Sequence, residues 1–361
     1  MEKRFSIALI SQQSVSSDWT AEALKKYFTH VDHLDIKNIE ISLESEKPKV
    51  FYEGKELQRY DCIFAKGSFR YADLLRSLTT ILGKQCYMPI KASAFTVGHD
   101  KLLTQLKLQD AKIPMPKTYV SATAATAKDL LKRMTYPVVM KFPKGTHGKG
   151  VMFADSYDSA SSLLDALTAL KQPVLIQEYI ETGGVDTRVI IVGDKVVAAM
   201  KRHAVQGEKR ANIHAGGKGE PVTLDPLTSK IAVQSAQAVG IGVCAVDIIE
   251  GVKGPMVIEV NLSPGLQGIT TVTGIDVADA ISNYLFEQTK HYWDGKQKQT
   301  SEILADLGIT AEEGVKDVIT NLQFRGNRIL LPEIITKVSQ LTIDDEVLLK
   351  CNKGRVTIKK M

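Results

Sequence analysis

Short apolar runs alternate with helix-spaced segments along most of the chain. Residues 5–10 form a continuous apolar run, 19–28 carry helical spacing, and 31–36 are again strand-like. Strand, helix and strand in that order predict a small parallel α/β unit. Residues 60–65 predict another strand and 74–82 a helix. Asp100 stands where it can cap a helix through Leu102, Leu103, Leu106 and Leu108, which ends before the break at Pro114 and Pro116. Downstream, 138–142, 151–154 and 174–180 read as strands, with a helix near 160–170. Gly193 and Asp194 mark a turn between the runs 189–192 and 195–200. Asp225 and Pro226 open a helix that closes at Gly240. Nothing repeats at a fixed period, so the pattern predicts an α/β (α+β) protein and no solenoid.

Two apolar runs, 244–250 and 256–261, flank the turn-forming Gly251, Val252, Lys253, Gly254 and Pro255. This predicts a β-hairpin. If all five residues form the loop, Glu250 pairs with Met256, Ile249 with Val257, Ile248 with Ile258, and Asp247 with Glu259. Two carboxylates then face each other at roughly 4.5–5.5 Å, where like charges destabilise a sheet, and the period of two puts Asn261 on the same face as Glu259. A divalent cation resolves the conflict. Oxygen-only ligands suit magnesium, which takes one or two carboxylates and fills its other positions with water and phosphate. A solvated hairpin face with incidental acids is the plainer reading of that pair.

Between two strand-like runs lies Pro143–Gly150, with three glycines and two lysines. Glycines such as Gly148 allow the positive φ that turns several N–H groups toward one anion. The spacing is not that of a Walker A loop, and a flexible hairpin tip would look the same. Lys141, among apolar strand residues, must reach solvent or pair with an anion, because a buried unpaired ammonium costs several kcal/mol. Lys101, in a first helical turn, opposes the macrodipole. Gln177, Glu178, Tyr179 and Ile180 end an apolar strand whose backbone can meet a purine edge, and Asp186 can hold ribose hydroxyls. Arg202, Arg210 and Asn212 supply the cations and amide that phosphoryl transfer to a carboxylate needs.

Composition narrows the field. At 361 residues the chain is long enough for two or three domains, and 44% hydrophobic with 24% charged residues is the make-up of a soluble globular protein. A net charge of +5 is too mild to argue for nucleic acid, and suits an anionic substrate. The four cysteines are scattered, as buried reduced thiols are. No apolar stretch approaches the roughly 18 residues of a membrane span and no signal-peptide pattern opens the chain, so a cytoplasmic location with no membrane partner is expected. The polar stretch 294–301 reads as a linker.

The ordered set of motifs resembles the ATP-grasp superfamily and, more narrowly, the RimK-like α-L-glutamate ligases. The signatures are His99-Asp100-Lys101-Leu102 with Ile113–Pro116, Lys141 before the glycine loop, Gln177–Ile180, Asp186 with Arg188, Arg210 and Asn212 followed by Gly216-Gly217, and Asp247 with Ile258–Asn261. The resemblance covers about residues 1–292. It implies an ATP-grasp fold with a Rossmann-like N-terminal domain at 1–95, an ATP-grasp domain at 96–293, a linker at 294–316 and a β-rich module at 317–361. It also implies ATP phosphates at Lys101, Lys141 and Gly148, adenine at Gln177, Glu178, Tyr179 and Ile180, and ribose at Asp186. Arg202, Arg210 and Asn212 fall to the transferring group, and Asp247, Glu259 and Asn261 to one or two Mg²⁺ or Mn²⁺ ions. The implied reaction adds an amino acid, L-glutamate by family, to an acceptor carboxylate. Several relatives carry arginine where this chain has Ala215.

Residues 324–360 resemble the swapped-hairpin fold of transition-state regulators: a strand, a short helix after Pro332 and a hairpin about Asn352, Lys353 and Gly354. One copy is too small to close its own core, so a homo-oligomer is expected. Basic residues such as Lys350, Lys353 and Arg355 also allow DNA, with dimerisation the preferred use. The contending function is a nucleotide-sensing regulatory or DNA-binding protein whose ATP-grasp part is not catalytic.

Overall fold

The computed structural model describes residues 5–44, 47–145, 150–204 and 218–306, and beyond these 323–326, 328–331, 335, 339, 341–342, 345–352 and 355–360. The chain divides into two compact units, Met1–Tyr292 and Trp293–Met361. The first unit opens with β1 (Ser6–Ser11), α1 (Val15–Leu24) and β2 (His30–Asp35). A small antiparallel sheet follows, β3 (Ile39–Ser42), β4 (Lys49–Tyr52) and β5 (Lys55–Glu56), and then β6 (Cys62–Ala65). Strands β2, β1 and β6 make a parallel sheet in that order. Its centre is β1, where Ile7, Ala8, Leu9 and Ile10 are fully buried. A central parallel strand covered on both faces reads as the continuous apolar run seen in the sequence.

Helices α2 (Ala72–Leu82), α3 (Ala92–Val97) and α4 (Lys101–Asp110) lead onward. Asp100 caps α4 through its carboxylate, which accepts from the backbone N–H of Leu102 and Leu103 at 2.9 and 3.1 Å. Then come β7 (Thr118–Tyr119), α5 (Ala124–Leu131), β8 (Val138–Lys141), β9 (Val151–Ala154), α6 (Tyr157–Ala169) and β10 (Leu175–Glu178). The four strands form an antiparallel sheet ordered β7-β10-β8-β9. On β8, Val138 and Met140 pack among Leu131, Leu164 and Ile176 under α5 and α6. The two-residue period therefore sends Val139 and Lys141 to the opposite face.

The second large sheet comprises β11 (Val185–Val192), β12 (Lys195–His203) and β13 (Lys218–Pro221), then, after α7 (Pro226–Val239), β14 (Val243–Gly251) and β15 (Gly254–Asn261). Its order is β13-β12-β11-β14-β15, antiparallel throughout. Helix α7 starts at the Asp225 cap with Pro226 in its first turn and ends at Gly240, whose φ of +83° is the left-handed C-terminal stop. The unit closes with α8 (Gln267–Thr273) and the first part of α9 (Val277–Asp306). The architecture is mixed α/β, as the periodicity predicts.

Two local features go beyond what composition shows. Helix α9 runs through residues 294–301, the polar stretch read as a linker. Lysine and glutamine, which make up half of this stretch, are good helix formers even without an apolar stripe, so polarity alone does not end a helix. The β14–β15 turn is also tighter than expected: Gly251 pairs with Gly254, leaving only Val252 and Lys253 in the loop. That would shift every partner by one. A bulge at Ile258 takes up the extra residue, so Ile248 pairs with Val257 and Asp247 still faces Glu259.

Among the described residues of the second unit, β16 (Gln323–Arg325) pairs with β17 (Arg328–Leu330), and β18 (Val347–Asn352) with β19 (Arg355–Lys360). The second hairpin lies where the sequence predicts one. Its register groups Val347, Leu349, Cys351, Val356 and Ile358 on one face, and Leu349 and Val356 are exposed. Most of the segment expected to be helical after Pro332 lies outside the described residues. No described helix is long and apolar enough to cross a membrane.

Candidate active site

Every candidate among the described residues lines one cavity of about 500 Å³ within the first unit. Gly148, Arg210 and Asn212 lie outside the described residues.

Lys141 and Gln177 stand on neighbouring strands of the four-stranded sheet, on the face turned away from the helices. Lys141 Nζ donates to Gln177 Oε1 at 2.7 Å, and Gln177 Nε2 donates to Thr118 Oγ1 at 2.7 Å. An amide oxygen orients the ammonium without neutralising it. Burial lowers the Lys141 pKa to about 8, with Glu259 opposing the shift and Lys101 adding to it. Lys101 enters from the first turn of α4, donating from Nζ to the Gly145 carbonyl at 3.0 Å and lying 3.9 Å from Glu259 Oε1. Two lysines thus converge where the glycine loop begins. At the other end, Glu178 Oε1 accepts from the Lys117 N–H at 2.8 Å, and Tyr179 packs edge-on to Phe153 at 6.0 Å. Ile180 follows on the same wall.

On the five-stranded sheet the charges fall in register. Asp186 on β11 faces Arg202 on β12, Arg188 on β11 faces Asp247 on β14, and Asp247 faces Glu259 on β15. Arg202 Nε and Nη2 donate to the two Asp186 oxygens at 2.6 and 2.7 Å. Arg188 grips Asp247 in the same two-pronged way at 2.8 and 2.7 Å, and Arg202 Nη2 is 3.1 Å from Asp247 Oδ2. Bidentate pairs of this kind are among the strongest polar contacts in proteins. Asp247 is 2% exposed. Burial works to raise its pKa, but Arg188 and Arg202 outweigh that and hold it below the usual carboxylate range. Burial has the upper hand at Asp186, whose carboxyl is raised despite Arg202.

This alternation revises the sequence-level case for a cation. Two guanidinium groups already offset the Asp247 charge, so the facing acids do not by themselves demand a metal. Glu259 differs from its partner: it is about one-third exposed to the cavity, and Lys101 is its ion-pair partner at 3.9 Å. Asn261 shares the cavity and donates from Nδ2 to Asp247 Oδ2 at 3.3 Å, leaving its carbonyl oxygen available. Two carboxylates and an amide oxygen beside two lysines fit a hard cation carrying phosphate.

Comparison with known proteins decides the family. The RimK-like ATP-grasp domain family matches residues 98–285, more than half of the chain. The chain belongs to the RimK-like ATP-grasp family. It is an ATP-dependent ligase that forms an amide bond. A probable α-L-glutamate ligase of Syntrophotalea carbinolica is 39% identical over 256 residues, covering 69% of this chain and 84% of the relative. A probable α-L-glutamate ligase of Thioalkalivibrio sulfidiphilus is 36% identical over 293 residues, covering 79% and 96%. The ATP-grasp ligase PsnB, solved with a phosphomimetic variant of its minimal precursor, Mg and ADP, superposes with a TM-score of 0.60 at 17% identity, covering 80% and 99%.

Within the family frame, Arg188 is the residue that the candidate set lacked. Its signal was present: it stands two positions after Asp186 on one strand, so both side chains share a face. Only the pairing of β11 with β14 shows that it reaches Asp247.

Proposed function

We propose that this ligase joins the amine of L-glutamate to an acceptor carboxylate, a protein tail or a small molecule, through an acyl-phosphate. The supporting observation is that Lys101 and Lys141 share one cavity with Asp247, Glu259 and Asn261, cations on one wall and oxygen donors on the other. In this reading adenine lies along Gln177–Ile180, ribose reaches the remaining lone pairs of Asp186, and the phosphates run past Lys141 and Lys101. Asp247, Glu259 and Asn261 hold one or two Mg²⁺ ions, which when bound would draw charge from the phosphate oxygens.

An acceptor carboxylate oxygen forms a bond to the γ-phosphorus as the bond to the β,γ-bridging oxygen breaks and ADP leaves. The amine nitrogen then attacks the acyl carbon, phosphate departs with its oxygen, and the nitrogen loses a proton. Arg202 and Arg188 keep the Asp247 carboxylate aimed at the cavity, while Arg210 and Asn212 are assigned to the transferring phosphoryl group by their motif. A role as a nucleotide sensor is not favoured, because the relatives matched in sequence are probable α-L-glutamate ligases.

The test is incubation with ATP, Mg²⁺, a panel of amino acids and cell extract, with mass spectrometry for species heavier by whole aminoacyl residues. ADP release that ignores the amino acid supplied counts against the reading. Lys141 adds a pH signature: ATP affinity of the free enzyme is expected to fall as pH rises through about 8, where the ammonium loses its proton. In Lys141→Arg the fall is expected to disappear below pH 10, since guanidinium stays charged. Titration of ATP binding by calorimetry across pH 7–10 reads this directly.

A further inference from the structure

Aminolysis of the acyl-phosphate leaves one proton without an acceptor. Near neutral pH an amino acid carries its amine as an ammonium, which has no lone pair with which to attack an acyl carbon. The described acids that line the cavity are engaged elsewhere. Asp186 and Asp247 are gripped by guanidinium groups, Glu178 accepts from the Lys117 N–H, and Glu259 faces Lys101 and the metal. His99 also lines the cavity, but burial holds its pKa down to about 4 and its Nε2 has no partner to carry a proton onward.

A second histidine has such a path. Ser11 ends β1 after the buried run Ile7–Ile10, at the C-terminal edge of a parallel sheet, where α/β folds present their ligand-binding side chains. It lines the same cavity. Leu9 pairs with His33 and Ser11 with Asp35, so the two-residue alternation puts Ser11 and His33 on one face of adjacent strands. Ser11 Oγ and His33 Nε2 are 2.8 Å apart, and the Gln13 N–H donates to the same oxygen at 3.0 Å. Because Oγ already accepts from Gln13, its own hydrogen is the one available for Nε2, which puts the ring proton on Nδ1. One lone pair of Oγ remains for a donor in the cavity. Asp18 Oδ1, on α1, lies 3.6 Å from His33 Nδ1, and the Asp18 side chain is 57% exposed. Burial lowers the His33 pKa, so the ring is uncharged at neutral pH and can take a proton. The charged groups that act on it are Asp18, Lys66 directly after β6, and Asp35 on its own strand; the two acids favour the imidazolium and the lysine opposes it. Cavity, hydroxyl, imidazole, carboxylate and solvent thus follow one another without a gap in chemistry.

We propose that Ser11 and His33 relay a proton of the attacking ammonium out of the cavity, with Asp18 as its exit. The proposal rests on the ligase reading. The ammonium donates an N–H to Ser11 Oγ; as Oγ takes that proton its own passes to His33 Nε2, and the N–H electron pair stays on nitrogen. The freed amine forms the C–N bond while the acyl C–O bond breaks, and phosphate leaves with that electron pair and a second proton from nitrogen. The imidazolium then gives a proton to solvent by way of Asp18. Ser11 touches the amine, whereas His33 and Asp18 act through it.

The test compares two amines on one acid source, the cell extract of the ligation assay at fixed concentration, with saturating ATP and Mg²⁺ and products counted by mass spectrometry. L-Glutamate arrives as an ammonium, whereas hydroxylamine is already unprotonated above pH 7 and needs no base. Ser11→Ala and His33→Gln are each expected to lower the apparent kcat/KM for L-glutamate about a hundredfold at pH 7, and that for hydroxylamine by no more than about threefold. Taken relative to hydroxylamine, which removes the titration of Lys141, the wild-type value for L-glutamate should be level between about pH 7 and 8.5. In both variants it should climb about tenfold per pH unit as free amine becomes available. Asp18→Asn, at an exposed position, is expected to cost about tenfold with L-glutamate alone. Equal losses with the two amines mark a structural role and overturn the relay, as does L-glutamate turnover within about twofold of wild type in Ser11→Ala or His33→Gln. Should those two variants fail to fold, Asp18→Asn decides, and the absence of an amine-selective loss there overturns the relay. In each of these outcomes the ligase reading stands. Hydroxamate without any glutamyl product from the wild-type protein overturns the glutamate reading together with the relay, and no product with either amine overturns the ligase reading as well.

Discussion

Glu259→Gln is expected to lower ADP formation by at least about a thousandfold, the equivalent of about 4 kcal/mol of transition-state stabilisation. The amide matches the carboxylate in size but brings no charge to a cation and offers one oxygen in place of two. Folding should be nearly untouched. Glu259 is about one-third exposed and its ion pair with Lys101 spans 3.9 Å, a contact worth no more than about 1 kcal/mol at a solvent-open site. Coupled measurement of ADP release beside thermal unfolding separates the two effects. Turnover near the wild-type rate in a folded Glu259→Gln protein would remove metal binding at these strands. Asp247 is the poorer probe, because its substitution also strips Arg188 of its bidentate partner.

Much of this site can be read from the sequence, and where it cannot, the reason is physical. The facing of Asp247 and Glu259 is predicted from a five-residue loop, yet the loop is two residues and a bulge restores the pair. Loop length and bulge position each move the register by one, and only their sum shows in the side-chain pattern. Lys141 is legible as an anomaly because a lysine on an apolar strand has few ways to exist. Its nearest partner, Gln177, lies on a strand 36 residues downstream and becomes visible only once β8 pairs with β10. Arg188 shows the same limit from the other side: it is quoted in the motif beside Asp186, and its hold on Asp247 becomes visible only once β11 pairs with β14. The helical state of residues 294–301 is hidden for a different reason, since a polar helix and a polar coil share a composition.

Arg202→Met is expected to cost about 3–5 kcal/mol of stability as well as activity, because it leaves two buried carboxylates with one guanidinium between them. Both Asp186 oxygens accept from Arg202, whereas Asp247 retains Arg188. Asp186 therefore bears most of the loss. Its carboxyl, already raised by burial in the intact protein, should rise further in the variant and bind a proton in the folded state that the unfolded chain releases near pH 4. Stability of Arg202→Met should accordingly fall as pH rises from 5 to 7, a window in which only the folded state gives up that proton. Denaturant titrations at the two pH values measure the slope. Adding Asp186→Asn removes the stranded charge and should recover roughly 2 kcal/mol while flattening the pH dependence. ADP formation gives the second readout. If Arg202 also acts on the transferring phosphoryl group, the double variant is restored in stability and remains inactive. Recovery of turnover together with stability would confine Arg202 to holding Asp186 and Asp247 in place.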